Sequence, residues 1–197
     1  MQMFKIVLAT SNPHKVEEIN AITKDLGVEF ILPPAGFNPV ENAETFEGNA
    51  LLKAKEANRL TGMPALADDS GLCVDYLNGG PGIYSCRYAD TPQARIDKLL
   101  NELNGVPLEK RGAKFVCVMV LLNEKGETLF SEKGECLGKI GFESKGTNGF
   151  GYDPVFVIEG GNLTMAELPE SEKNKISHRA LALNKFKNYC IKVKGKR

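Results

Sequence analysis

The start of the chain sets the tightest limit on its fold, because a β-branched run opens directly onto a helical pattern. The run is "FKIVLAT", and the segment "SNPHKVEEINAITKDLG" after it has apolar residues at helical spacing, at Val16, Ile19, Ile22 and Leu26. Gly27 marks the end of that helix, and a short strand "VEFIL" comes next. A strand, a tight turn, a helix and a second strand in close succession permit an α/β protein.

The rest of the chain continues this alternation. The segment "TFEGNALLKAKEANRLTG" predicts a helix with Gly62 as its C-cap, and the run "PALA" predicts a strand that ends at Asp68 and Asp69. Another helix is predicted to begin at Thr91 and Pro92. Two strand-like runs around "NEKGE" indicate a hairpin, a further apolar strand follows "FGYDP", and "SHRALALNKFKNYCIKV" predicts a closing helix.

Composition and charge exclude several function classes. The chain has 197 residues, 42% of them hydrophobic and 25% charged, which is enough for one domain over 1–197, with two lobes as an option. Lys plus Arg and Asp plus Glu both total 25, so the net charge favours neither a nucleic-acid partner nor disorder. Any anion-binding site must therefore be local.

Cysteine usage and the N-terminal segment bear on the compartment. The five cysteines are scattered and form no C-x-x-C pair, so neither a disulfide framework nor a zinc site is predicted. A reduced cytoplasmic compartment fits this pattern best. The segment "MQMFKIVLAT" is too short an apolar run for a signal peptide or a membrane span, so we expect no membrane association.

The adjacent carboxylates in "PALADDSGL" raise the question of why a strand should end on two like charges. Asp68 and Asp69 repel one another, and each would lose hydration if that end of the strand were covered. A turn, a metal ion or a reaction could offset this cost.

The junction "ATSNPHK" between the first strand and the first helix is a candidate phosphate site. Unpaired backbone N–H groups and the positive end of the helix dipole favour an anion there, and Lys15 could add a charge. No Walker motif occurs in the chain. An ordinary capped helix after a strand is the better interpretation of this segment taken alone.

The segment "VENAETFEGNALLKAK" collects Glu41, Glu44 and Glu47 near Asn49 and Lys53. Acidic residues ahead of a helix usually complement its dipole, and this is the favoured interpretation of the stretch by itself. Together with the aspartates of "ADDSGL", however, one of these glutamates could complete an oxygen-rich Mg²⁺ site.

Two later motifs have both an ordinary and a functional interpretation. "FGYDP" would form a turn that enters a strand, with Asp153 fixing backbone hydrogen bonds, or it would stack a planar ring on Phe150. In "SHR", Ser177 would cap the last helix. His178 and Arg179 in its first turn oppose the dipole preference, which points to an anionic or hydrogen-bonding partner.

The ordered set of motifs resembles the inosine/xanthosine triphosphate pyrophosphatase family over nearly the whole chain. It comprises T-S-N-x-x-K, E-x-x-x-T-F-x-x-N-A-x-x-K-A, "ADDSGL", "GGPGIYSCRY", "FGYDP" and "SHR". The resemblance implies an α/β fold with an elongated mixed β-sheet flanked by helices and two lobes around a central cleft. It further implies a Mg²⁺-dependent hydrolase that converts ITP, dITP and XTP to the monophosphate and pyrophosphate, cleansing the nucleotide pool, and a homodimer.

The resemblance also assigns roles to individual residues. The catalytic carboxylate is Asp69, which would bind Mg²⁺ and activate water, with Glu41 on the metal side and Glu44 close enough to keep as an alternative. The role of Asp68 stays open between supporting the metal shell and fixing a turn. The substrate-binding residues are Thr10, Ser11, Asn12, Pro13, His14, Lys15 and Lys53 at the triphosphate, Ser70 beside the substrate, and Phe150, Gly151, Tyr152, Asp153, Lys173, His178 and Arg179 around the base and sugar.

Three departures from the family pattern are small. The family often has glycine where this chain has Ser11, and T-G-G where this chain has Thr147, Asn148 and Gly149. The segment "GGPGIYSCRY" is one residue tighter than the family's form. The assignment stands with these changes.

The chemistry of the base suggests how substrates would be selected. Hypoxanthine and xanthine carry a carbonyl at C6 where adenine carries an amino group, so fixed donors from Arg179 and backbone N–H groups would accept the first two bases and be left unpaired by adenine. Such a site can discriminate by roughly 10⁴ or more. Guanine shares the carbonyl and must be excluded by another contact.

Two other functions compete with this interpretation. A Maf-like pyrophosphatase for modified pyrimidine nucleotides would share an α/β cleft, but Phe150, His178 and Arg179 argue against it. A non-enzymatic nucleotide- or RNA-binding module would need the lysines and aromatics but not the paired carboxylates. The neutral net charge and the pair Asp68 and Asp69 count against that module.

Overall fold

A six-stranded mixed sheet organises the computed structural model, which describes residues 4–195. The strands are β1 Phe4–Leu8, β2 Val28–Ile31, β3 Ala65–Val74, β4 Gly112–Leu122, β5 Thr128–Ile140 and β6 Phe156–Ile158. They lie in the order β2-β1-β3-β4-β5-β6. Strand β1 is parallel to β2 and to β3, whereas β5 and β6 are antiparallel. The mixed sheet expected from the resemblance is thus confirmed.

Five helices accompany the sheet in the described part of the chain. They are α1 Pro13–Thr23, α2 Phe46–Thr61, α3 Pro92–Glu102, α4 Glu170–Ile176 and α5 His178–Lys194. Thr45 and Thr91 cap α2 and α3 by accepting hydrogen bonds from backbone N–H groups, and Gly62 ends α2 in the left-handed conformation at φ 66°. These boundaries agree with the capping signals in the sequence. Helix α4 had no such signal and was not predicted.

One strand differs from its prediction. The expectation that a strand ends at Asp68 and Asp69 is wrong, because β3 continues through both residues to Val74. A turn at this position is therefore excluded as the role of Asp68. The strand can continue because cationic side chains pair with both carboxylates, as described below.

The chain divides into two compact units, each with its own core. Within the described residues, the first unit comprises the chain up to Asp69, Cys117–Gly134, and the chain from Arg179 onward. Its core consists of one cluster that joins residues of β1, β3, β4, α1 and α5 and another that joins α2 to the same strands. The second unit comprises Ser70–Val116 and Glu135–His178, with a core around Leu72, Phe115 and Phe156.

All five cysteines are free thiols. Among residues 4–195, no helix combines the length and the apolar character that crossing a bilayer requires.

Candidate active site

The two adjacent carboxylates lie in the middle of β3 and point to opposite faces of the sheet, because side chains alternate along a strand. Asp68 shares its face with Leu66, which packs with residues of α1 and α5. Asp69 shares its face with Ala67, which packs with residues of α2. The like charges are therefore turned away from one another, and each meets a different set of cations.

On the first face, Asp68 is held by two cationic side chains. Its Oδ2 lies 2.8 Å from Lys15 Nζ and 3.3 Å from Arg179 Nη2, and the side chains of Asp68 and Arg179 are each 1% exposed. Arg179 also donates to Glu18 through Nη1. Burial alone would raise the pKa of Asp68, but the neighbouring cations, foremost Lys15, outweigh it and hold that pKa far below its ordinary value. Asp68 is therefore a permanent anion that anchors Lys15.

On the second face, Asp69 meets α2. Lys53 Nζ lies 2.8 Å from Asp69 Oδ1, and Asn49 Nδ2 lies 3.4 Å from Asp69 Oδ2. Burial raises the pKa of Asp69, and the ammonium group of Lys53 offsets that only in part. Burial alone would lower the pKa of Lys53, but the neighbouring carboxylates, foremost Asp69, raise it. Lys53 thus stays charged, while Asp69 holds a proton more readily than an exposed carboxylate does.

Glu41 belongs to the same cluster. Its Oε2 lies 3.4 Å from Lys53 Nζ, so oxygens of Glu41 and Asp69 converge on one cation. Glu44 is exposed. Of the two glutamates that the sequence left open for the metal, Glu41 is therefore the one that shares a cation with Asp69.

These oxygens fit a divalent cation bound mainly by substrate and water. The described residues contain no group of three or more His, Cys, Asp or Glu side chains placed to hold a metal. Mg²⁺ typically uses only one or two protein carboxylates and completes its shell with water and phosphate oxygens. The pair of Glu41 and Asp69 around Lys53 matches that requirement.

The junction between β1 and α1 forms the capped turn that the sequence predicted. Asn12 Oδ1 accepts a hydrogen bond from His14 N at 3.0 Å, and Pro13 occupies the first helical position. Thr10 is buried and its Oγ1 accepts from Asn12 N at 3.2 Å, whereas Ser11 is exposed. The turn places Lys15 in the first turn of α1. The contacts that these residues make to a triphosphate stay a prediction.

In the second unit, a buried ion pair organises the "FGYDP" segment. Lys173 Nζ donates to Asp153 Oδ2 at 2.7 Å, and the same oxygen accepts from Phe150 N at 2.9 Å. Lys173 Nζ also lies over the Phe150 ring, 4.7 Å from its centroid. Gly149 has φ 72°, and a Cβ there would clash with Asp153 Oδ2. The structure therefore brings together three of the residues predicted for the base and sugar and shows why glycine precedes Phe150.

Other residues predicted for the base make defined contacts within the same unit. Tyr152 is buried and its hydroxyl donates to the Ser85 carbonyl at 2.9 Å. His178 stacks on Phe115 with ring centroids 4.8 Å apart. Ser70, which was predicted beside the substrate rather than at the base, is half-buried on β3.

Arg179 belongs to the first unit, where both Nη atoms meet carboxylates. Its predicted contact with the base carbonyl stays a prediction, as do the roles of Gly151, Tyr152 and His178.

Three residues to which the sequence assigned no role contribute to this site or its surroundings. Glu18 pairs with Arg179 although 161 positions separate them. Ser85 Oγ accepts a hydrogen bond from Leu72 N at 2.9 Å and connects β3 to the 3-10 helix Gly82–Arg87. Asn49 has no exposed surface. The only available signal was that "GGPGIYSCRY" and "N-A-x-x-K-A" belong to the motif set.

The fold and these residues define an α/β protein with a buried carboxylate and ammonium site on an interior strand. A model of the Ham1 family matches residues 6–189, and the chain belongs to that family. It is 48% identical over 190 residues to a dITP/XTP pyrophosphatase of Haemophilus ducreyi, covering 93% of this chain and 96% of the relative. It is 47% identical over 190 residues to one of Bacillus licheniformis, with the same coverage of both chains. The family assignment drawn from the motifs is confirmed.

Solved structures of similar proteins agree with this family assignment. The chain is 40% identical to a HAM1 protein from Coxiella burnetii, with a TM-score of 0.89 and coverage of 96% of this chain and 100% of that one. It is 38% identical to the Ham1 protein of Staphylococcus aureus, with a TM-score of 0.85 and coverage of 98% and 100%.

Proposed function

We propose that this protein hydrolyses non-standard purine nucleoside triphosphates, namely ITP, dITP and XTP, to the nucleoside monophosphate and pyrophosphate. The observation that carries the proposal is the convergence of Glu41, Lys53 and Asp69 on one face of β3. This cluster occurs in a chain that is 48% identical to a protein named dITP/XTP pyrophosphatase. Charge neutralisation and an activated water are the two things that hydrolysis of a polyphosphate requires.

The triphosphate would be held by cations and backbone donors of the first unit. Lys15 stands in the first turn of α1, and Lys53 stands on α2, each already oriented by an aspartate of β3. The N-terminal end of α1 adds the positive end of its dipole. Bound Mg²⁺, held by Glu41 and Asp69, would supply further neutralisation of the phosphate oxygens.

Asp69 would accept the proton of the attacking water. The water oxygen bonds to the α-phosphorus while the bond from that phosphorus to the β-phosphate oxygen breaks, so pyrophosphate leaves and the monophosphate remains. Burial raises the pKa of Asp69, which makes it a better proton acceptor than an exposed aspartate. Attack at the α-phosphorus is what distinguishes this reaction from release of orthophosphate.

The base and sugar would be recognised by residues of the "FGYDP" and "SHR" segments. Phe150 offers a ring face for stacking, and the ion pair of Asp153 with Lys173 fixes the backbone beside it. Donors at this segment and at His178 would favour a C6 carbonyl over an amino group, and a contact of Arg179 with the base is a separate proposal. Adenine would leave those donors unpaired, and unpaired donors disfavour a wrong base more strongly than a difference in shape does.

We also propose a homodimer that works in the cytoplasm. The family resemblance supports the dimer. The five free thiols suit a reducing compartment. Sedimentation of the purified chain tests the dimer directly.

The test is hydrolysis of ITP and XTP beside ATP and GTP, with and without Mg²⁺, with pyrophosphate measured separately from orthophosphate. We expect pyrophosphate from ITP and XTP, little turnover of ATP, and dependence on Mg²⁺. Orthophosphate as the product would contradict attack at the α-phosphorus. Turnover of modified pyrimidine nucleotides alone would favour a Maf-like activity, and binding without turnover would favour a non-enzymatic module.

A further inference from the structure

The side chain of Asn49 connects the two candidate metal ligands. Asn49 lies in the first turn of α2 and has no exposed surface. Its Nδ2 donates to Asp69 Oδ2 at 3.4 Å, and its Oδ1 accepts from Ala43 N at 3.0 Å. Ala43 lies two residues after Glu41. One amide group therefore holds both the catalytic carboxylate and the loop that carries its partner.

Lys53 completes the arrangement from the same helix. Asn49 and Lys53 are four residues apart, so they project from one side of α2. Lys53 binds Asp69 Oδ1 and Asn49 binds Asp69 Oδ2, which means that α2 engages both oxygens of that carboxylate. The rotation of the Asp69 carboxylate is consequently fixed by two residues of a single helix.

Helix α2 approaches β3 closely because its inward face is made of small residues. Ala50, Ala54 and Ala57 have no exposed surface and pack in one cluster with Ala65 and Ala67 of β3. Alanine against alanine brings the two backbones near enough for an asparagine side chain to reach the strand. This packing gives Asn49 a fixed position, as a positioning group requires.

We propose that Asn49 is a positioning residue that sets the separation and orientation of Glu41 and Asp69 for metal-assisted hydrolysis. The inference rests on the proposed function and adds a residue to it. Asn49 touches neither water nor substrate in this role. Its amide acts through Asp69 on one side and through the Ala43 backbone on the other.

The primary variant is Asn49→Leu, which keeps the volume of the side chain and removes both hydrogen bonds. We expect the Mg²⁺ concentration for half-maximal turnover of ITP to rise by roughly tenfold to a hundredfold, the usual effect of losing a group that orients a metal ligand. At saturating Mg²⁺, the KM for ITP should change by less than about threefold, because Lys15 and Phe150 are untouched. If Asn49→Leu does not fold, Asn49→Ser serves the same comparison.

Asn58 offers a matched control on the same helix. Its Nδ2 donates to the carbonyls of Met63 at 2.8 Å and Asn123 at 3.0 Å, so Asn58→Leu also removes hydrogen bonds from α2 to neighbouring loops. This variant should lose stability without any change in the Mg²⁺ requirement. An equal shift in the Mg²⁺ requirement for both variants would overturn the proposal, because the effect would then be structural.

A second measurement does not depend on turnover. Binding of Mn²⁺ in the presence of a non-hydrolysable ITP analogue, followed by electron paramagnetic resonance, should weaken by a similar factor in Asn49→Leu and stay at the wild-type value in Asn58→Leu. Wild-type Mn²⁺ affinity in Asn49→Leu would refute the positioning role. Wild-type protein that releases no pyrophosphate from ITP would instead refute the proposed function. The Mn²⁺ comparison would still decide whether Asn49 positions Glu41 and Asp69.

Discussion

Replacing Arg179 with methionine should destabilise the fold strongly. The guanidinium group is buried and pairs with Glu18 of α1 and Asp68 of β3, while the arginine itself stands on α5. Methionine fills a comparable volume but leaves two buried carboxylates without this cation. Breaking a buried ion pair by removing one partner costs about 3–5 kcal/mol. For a chain of 197 residues, that loss corresponds to a fall in Tm of roughly 6–20 °C.

Urea unfolding, followed by fluorescence and far-UV circular dichroism, measures the loss. The midpoint of Arg179→Met should fall at an unchanged m-value, which would mark a change in stability rather than in the exposed surface. Removing the Glu18 charge as well, in Glu18→Gln with Arg179→Met, should recover about 1–2 kcal/mol of the loss. Arg59→Met is the matched control, because Arg59 pairs with Glu56 on the surface, and it should unfold as the wild type does.

An unfolding free energy of Arg179→Met within about 1 kcal/mol of the wild type would contradict this prediction, because a solvent-screened ion pair contributes no more than that. A double variant that is no more stable than Arg179→Met would contradict it as well. In the latter case, loss of the guanidinium group beside Glu18 would not be the source of the cost.

Three further outcomes are expected. Asp69→Asn should lower kcat for ITP by roughly 10²- to 10⁴-fold, measured as pyrophosphate release at saturating Mg²⁺; near-normal turnover would exclude it as the base. Gly149→Ala should raise the KM for ITP and lower the Tm, because its Cβ would clash with the Asp153 carboxylate and the backbone is left-handed there. Steady-state kinetics and calorimetry test this. Burial raises the pKa of the Cys190 thiol to about 11, so its alkylation, followed by peptide mass spectrometry, should accelerate about tenfold per pH unit from 8 to 10; a plateau below pH 9 would contradict the raised pKa.

Local signals predicted the framework well. The pattern of Asn12, Pro13 and Gly27 marks the ends of the first helical segment, and Thr45 and Gly62 mark those of α2. Each of these residues acts through hydrogen bonds or backbone geometry within a few positions, so a single sequence is enough to identify it.

The course of β3 could not be predicted in the same way. Two adjacent aspartates look like the end of a strand, because burying them without partners is costly. Their partners come from Lys15, Lys53 and Arg179, which are far away in the sequence. Only the folded chain shows that each face of the strand has its own cations.

The candidate site was predicted unevenly for the same reason. Family motifs identified Asp69, Lys53 and Glu41, and the structure places these side chains in one cluster. Asn49 carried no separate signal, because a buried asparagine in a helix is recognised as a connector only when its two partners are known. Arg179 was expected at the base, whereas its described bonds are to carboxylates.

The position of Lys53 between Glu41 and Asp69 has a consequence for the stability of the site in the absence of divalent cations. A site that carries its own ammonium counter-ion has no need of a dissolved cation to remain folded. We therefore expect a chelator to leave the Tm of the nucleotide-free protein unchanged. Under the proposed function, Mg²⁺ would be needed only once a nucleotide is bound.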